Sequence, residues 1–137
     1  MILGTGVDII EVDRIRGSYE RFGERFVRRI LSDSELGYCL AHRDPAPFLA
    51  ARFAAKEAIS KAFGTGIGSQ LGWQDMEVGR KSTGEPFVIL HDQGLLLLKE
   101  RGADHVHLTL SHTQVYAVAM ALLECRNPTA PPPVAAA

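Results

Sequence analysis

Three charged side chains stand where charge needs a physical reason. Asp8 lies mid-strand in "MILGTGVDII", between Val7 and Ile9. Glu57 and Lys61 lie one turn apart in "FAAKEAISKAFGTGIG", residues 53–68, which reads as a helix that is apolar and small nearly all the way round. On a wheel at about 100° per residue, Ala54, Ala58 and Ala62 form one row and Ala55, Ile59 and Phe63 another. Glu57 and Lys61 fall beside Phe53 and the first of these rows, not opposite the apolar side. One account of them is an ordinary i,i+4 surface pair worth roughly 0.3–0.5 kcal/mol. The matching account of Asp8 is a cap, or an ion pair with Arg14. The chemical alternative is that Asp8 and Glu57 meet across a strand–helix interface. A buried carboxylate must be paired, hydrogen-bonded or on a metal, and two that adjoin repel unless a cation lies between them. Two hard oxygen ligands, with waters and substrate phosphates completing the shell, suit Mg²⁺. Lys61, one turn on, would then be free to hold a phosphate that the metal also holds.

Two further stretches have polar groups to offer. "GTGIG", Gly64 to Gly68, is either a C-cap glycine with a loop behind it, or a loop whose backbone N–H groups approach phosphate. It is no Walker A loop, since the lysine precedes the glycines, and no dinucleotide fingerprint, since it follows a helix. In "SHT", residues 111–113 at a strand end, Ser111 and His112 can donate hydrogen bonds to phosphate or nucleotide oxygens, and no nucleophile-elbow pattern surrounds the serine. His105 and His107 read as surface residues, and His42 and His91 carry no signal.

The elements that must position these groups follow from pattern. "MILGTGVDII" is strand-like, with Gly4, Gly6, Asp8 and Ile10 on one face and Leu3, Thr5, Val7 and Ile9 on the other. Its glycines fall where another backbone may come close. A helical region follows from about Asp13 to Ile30, with Gly17 or Gly23 as possible breaks. If it is continuous, Arg14, Arg21, Arg25 and Arg28 share one face. "SDSE" at 32–35 is a capping box, and "DP" at 44–45 gives an Asp cap with proline at the first position of the helix that ends at Gly64. "DMEVGR" and "PFVIL" are strands about a "KSTGE" turn, and Asp92–Arg101 is an amphipathic helix closed by Gly102. "HVHLTL" and "VYAVAMALLE" are strands joined through "SHTQ". Ala117, Ala119 and Ala121 make one face of the last strand flat enough for a helix or a neighbouring subunit to approach. Without strict βαβ alternation the mixture reads as α+β with an antiparallel sheet.

Composition bounds the rest. With 137 residues and 46% hydrophobic content the chain holds one domain with a real core. That domain is expected over residues 1–126, with the Pro/Ala-rich stretch 127–137 a disordered tail. A net charge of −1 gives no argument for nucleic acid, although the arginines between Arg14 and Arg29 make a local basic block suited to an acidic partner. Cys39 and Cys125 form no disulfide framework or zinc pattern. No signal peptide or membrane span is legible, so a cytoplasmic location is expected.

"GVDIIEVDRI", "RFAAKEAISKAFGTGIG", "GEP" at 84–86 and "LSHTQVYAVAMALLE" together resemble the holo-acyl-carrier-protein synthases, the small class of 4′-phosphopantetheinyl transferases. The likeness spans about residues 2 to 124, with four separated blocks in order. It implies a small antiparallel sheet packed on a long central helix. The activity implied is Mg²⁺-dependent transfer of 4′-phosphopantetheine from coenzyme A to a serine of acyl carrier protein, in support of fatty acid biosynthesis. Adenosine 3′,5′-bisphosphate is the other product. The family's metal ligands fall on Asp8 and Glu57, and its lysine on Lys61, near the transferring phosphate. Gly64, Thr65, Gly66, Pro86, Ser111 and His112 would border the nucleotide. The family's homotrimers, with active sites between subunits, would give the alanine face of the last strand a partner. Arg14, Arg21, Arg25 and Arg28 would dock the acidic carrier. Two alternatives use the same residues: another Mg²⁺-dependent phosphoryl enzyme such as a pyrophosphohydrolase, and a non-catalytic coenzyme A-binding module.

Overall fold

A computed structural model describes residues 1–127. The elements run β1 (Ile2–Glu11), α1 (Val12–Phe22), α2 (Glu24–Ile30), α3 (Asp33–Leu40), α4 (Ala46–Phe63), β2 (Met76–Arg80), β3 (Pro86–Leu90), α5 (Gln93–Glu100), β4 (His105–His112) and β5 (Tyr116–Glu124). A 3₁₀ turn at Trp73–Asp75 precedes β2. Strands β1, β5 and β4 form an antiparallel sheet in that order, and β2 and β3 form a separate hairpin. The architecture is the expected α+β one, with the sheet laid against α4.

The contact between β1 and α4 is closer than side chains would permit. A Cβ on Gly4 would overlap the carbonyl oxygen of Ala62, and one on Gly6 that of Ala58. The glycine positions therefore let the strand lie directly on the helix backbone. Strand alternation puts Asp8 and Ile10 on that same inward face. On β5, Ala117, Ala119 and Ala121 are fully buried and complete the small-residue surface under α4. This corrects one expectation: the helix takes the alanine face, which is not open to a neighbouring subunit. The sheet's uncovered face is instead the opposite one, where Val7, Ile9, Val118 and Met120 are 37–64% exposed.

Local signals mostly held. The Ser32–Glu35 capping box is formed, and Gly64 ends α4 in the left-handed region at φ 79°. The arginine helix breaks at Gly23, with φ 66°, and runs unbroken through Gly17. Arg14 and Arg21 therefore lie on α1, and Arg25 and Arg28 on α2, so straight-helix spacing no longer aligns them. The assigned start of α4 is one residue later than expected, after Pro45, but Pro45 is already helical and Asp44 Oδ1 accepts from the Ala46 N–H at 3.4 Å, as the expected cap would. The Asp44 carboxylate also takes the Arg16 guanidinium at 2.6 Å. Ser111 and His112 end β4 and do not belong to a connection. The expected tail lies outside the described residues from 128 onward. Among the described residues no helix is long and apolar enough to cross a membrane.

Candidate active site

The β1–α4 contact brings the three charged groups together. Lys61 Nζ donates to Asp8 Oδ1 at 3.1 Å and to the Val7 carbonyl at 3.0 Å. Glu57 joins them electrostatically. Its pKa is raised, first by burial and then by the negative charge of Asp8, with Lys61 opposing the shift. The arrangement is therefore two carboxylates and one ammonium, with negative charge in excess. The Lys61 side chain is half exposed, whereas that of Asp8 is 17% exposed, so the lysine is the member that solvent and ligands reach.

The other expected site residues are dispersed. In the GTGIG loop, Gly64 N–H donates to Lys61 O, Thr65 and Gly66 N–H both donate to Ser60 O, and Gly68 N–H donates to Leu71 O. These N–H groups close the helix and its loop, so they do not form the phosphate cradle that the loop could have offered. Pro86 lines a cleft of about 390 Å³ between β3, α5 and the start of β4, and none of Asp8, Glu57 and Lys61 borders that cleft. Sheet register sets Ser111 opposite Val118 and Ile9 on the exposed face, and His112 opposite Ala117 and Ile10 on the inner face. His112 packs edge-on against Phe48 of α4, with ring centroids 4.9 Å apart. Adjacent strand residues point to opposite sides, so Ser111 and His112 cannot grip one atom group together. Two strand spacings, about 10 Å, also separate β4 from Asp8. Any ligand touching both ends would have to be long.

The family model of the 4′-phosphopantetheinyl transferase superfamily matches residues 4–121. The chain belongs to that superfamily. It is 47% identical to the holo-[acyl-carrier-protein] synthase of Koribacter versatilis over 124 residues, which is 90% of this chain and 99% of that protein. Among solved structures it is similar to the Neisseria meningitidis holo-[acyl-carrier-protein] synthase, with TM-score 0.84 and 35% identity over 90% of this chain and 99% of that one. It is also similar to the Bacillus anthracis holo-(acyl-carrier-protein) synthase solved in complex with CoA (3′,5′-ADP), with TM-score 0.77 and 38% identity over 91% and 98% of the two chains.

In this member of the superfamily, sequence reasoning missed one row of α4. Arg52, Lys56 and Ser60 recur every fourth residue, and all three are buried. Lys56 Nζ donates to Ile30 O at 2.6 Å, Glu35 Oε1 at 2.8 Å and Trp73 O at 3.1 Å. Glu35 in turn accepts from the N–H groups of Ser32 and Val78. Burial pulls Lys56 below the usual lysine range, and Glu35 pushes back. The Arg52 guanidinium lies 4.3 Å from the Tyr38 ring centroid, and its Nε has no hydrogen-bond partner. A polar i, i+4, i+8 row inside a helix that is otherwise small and apolar was the available signal.

Proposed function

We infer that the chain is a holo-[acyl-carrier-protein] synthase: it transfers 4′-phosphopantetheine from coenzyme A to a serine of apo-acyl carrier protein and releases adenosine 3′,5′-bisphosphate. The observation that carries this reading is the convergence of Asp8, Glu57 and Lys61 where β1 lies on α4. Asp8 and Glu57 are the residues that would hold Mg²⁺. The donor set fits: both are hard carboxylates, and burial together with Asp8 makes the charge on Glu57 unfavourable until a cation compensates it. Among the described residues no cluster of three or more metal-binding side chains occurs, so water and substrate oxygens would complete the shell, as Mg²⁺ prefers. When bound, the ion would offset negative charge on the pyrophosphate.

The protein's own groups do the rest. Attack of the serine hydroxyl on the β-phosphate builds charge on the nonbridging oxygens and on the departing phosphate. The half-exposed ammonium of Lys61, already directed at this corner by Asp8 and Val7 O, stabilises that charge. The hydroxyl proton goes to Glu57 or to a water that one of the two carboxylates orients. Pro86 and His112 would line the nucleotide end of the substrate. Gly64, Thr65 and Gly66 would border it by shape, since their N–H groups are engaged.

Two surfaces extend the reading. Arg14, Arg21 and Arg25 form no ion pairs among the described residues, while Arg28 is held by Glu24 at 3.2 Å and Asp33 at 3.0 Å. The first three are therefore the free cations for an acidic carrier. The exposed apolar face of β1 and β5 is the surface on which copies of the chain would assemble as a trimer, with Ser111 at its edge. Incubation with coenzyme A, Mg²⁺ and apo-acyl carrier protein tests the function. The carrier should gain the mass of phosphopantetheine, with equimolar adenosine 3′,5′-bisphosphate released. Hydrolysis of coenzyme A with no change in carrier mass would overturn the assignment. Sedimentation at three times the monomer mass checks the assembly.

A further inference from the structure

Along its row of alanines, helix α4 meets a surface with little relief. Gly4 of β1 lies on Ala62 of the helix and Gly6 on Ala58, strand β5 packs on α4 as well, and its Ala117, Ala119 and Ala121 are buried, as are Ala54, Ala58 and Ala62. Small residues allow close approach but have no large knobs of their own to resist rotation or sliding of the helix about its axis, and the larger buried residues of α4, Leu49, Ile59 and Phe63, are apolar. Apolar packing is also non-directional. Yet Glu57 must face Asp8 to within a few tenths of an ångström if the two are to share an ion.

The directional restraint lies at the preceding residue. Lys56 is fully buried, and its ammonium reaches three acceptors on three separate elements: Ile30 O at the end of α2, Glu35 on α3 and Trp73 O in the 3₁₀ turn. Glu35 is itself held by the backbone of Ser32 and by Val78 of β2. A lysine ammonium has three donors, and all are engaged. We propose that Lys56 is a positioning residue for Glu57: its buried three-way clamp sets the rotation of α4, and with it the placing of the neighbouring carboxylate against Asp8. This rests on the reading of Asp8 and Glu57 as a divalent-cation pair. Setting register is the best-attested use of a buried ion pair, as distinct from adding stability.

Mn²⁺ binding followed by electron paramagnetic resonance tests the clamp without relying on turnover. In Lys56→Met/Glu35→Gln, which removes both buried charges, the folded protein should bind Mn²⁺ at least about 10-fold more weakly than wild type, a loss of roughly 1.4 kcal/mol. Leu123→Ala, a cavity variant on β5 away from the pair, should keep the wild-type affinity while losing stability. If the double variant does not fold at the temperature used, Lys56→Arg carries the test. It keeps the charge but spreads its donors over a planar fork, and should weaken Mn²⁺ at least about threefold. Wild-type affinity in whichever clamp variant folds, or equal weakening in Leu123→Ala, overturns the proposal. Absence of Mn²⁺ binding in the wild-type protein would instead remove the cation-pair reading, and the proposal with it.

Discussion

Helix α4 carries two lysines five residues apart, and their surroundings are opposite. Lys56 is fully buried, with its ammonium engaged by one carboxylate and two backbone carbonyls. Lys61 is half exposed, with one carboxylate and one carbonyl. An ammonium has three donors, so the first has nothing left to offer a ligand, and the second has a donor and an open side. The carboxylates differ in the same way. Glu35 is enclosed and accepts from Lys56 and two backbone N–H groups. Glu57 carries the excess negative charge of its corner. Residue type is the same in both places. Complete satisfaction fits an architectural role, and incomplete satisfaction with access fits the catalytic role proposed for Lys61 and Glu57.

The sharpest way to break that contrast is to neutralise each open group. Lys61→Ala and Glu57→Gln should each lower kcat by roughly 100-fold or more, measured by the carrier mass shift. Glu57→Gln should keep or raise Tm. Its carboxyl is easier to protonate in the folded protein than in the unfolded chain, so the stability it confers is largest when protonated and declines as pH rises through its raised pKa. Wherever the side chain is ionised it is a liability that Gln removes. A Tm drop in Glu57→Gln would make this corner structural.

The enclosed pair should respond in stability. Lys56→Ala should cost about 3–5 kcal/mol in denaturant unfolding, because Glu35 would be left buried and unpaired, against less than about 1 kcal/mol for Lys61→Ala. Equal costs would erase the distinction. Between these lies the strand–helix contact. Gly6→Ala should destabilise by about 1–3 kcal/mol, since its new methyl would meet backbone, and turnover should fall as β1 carries Asp8 away from α4. Gly17→Ala in α1, where a Cβ meets open space, should be neutral or stabilising by up to about 1 kcal/mol.

A smaller effect is expected with pH. Glu57 must be ionised to hold a cation, so kcat/KM should fall on acidification along a limb that lies above the ordinary glutamate range. Asp8→Asn removes one of the two carboxylates and should weaken Mn²⁺ binding at least about 10-fold; wild-type affinity would separate the two. The smallest effects should come from the basic helices. Arg14→Ala and Arg21→Ala should raise KM for the carrier a few-fold, and the effect should shrink as salt is added. Arg28→Ala should do less, because Glu24 and Asp33 already hold its guanidinium.

Much of the candidate site was legible because it rests on short-range pattern. Strand alternation placed Gly4, Gly6, Asp8 and Ile10 on one face, and the helix wheel placed Glu57 beside Lys61; the two faces then met as those patterns implied. The capping box at Ser32–Glu35 was equally plain, but its second role was hidden. The same Glu35 side chain that reaches back to Ser32 also holds Lys56 and Val78, from elements that no local window includes. By local pattern Ser111 and His112 belong to a polar connection at a strand end, whereas β4 continues through both and sends them to opposite faces.

What the sequence alone determined is the set of elements, their inward faces and the candidate carboxylates, since periodicity and caps act over a few residues and need no partner. Only the tertiary structure decided what covers each face. Helix α4, not a second subunit, lies on the alanines of β5; α2, α3 and the 3₁₀ turn enclose Lys56, and Tyr38 of α3 covers Arg52. A wheel gives the direction of a side chain, but burial is a property of neighbours. Here those neighbours come from Ile30, Glu35 and Trp73, between 17 and 26 residues away in the chain.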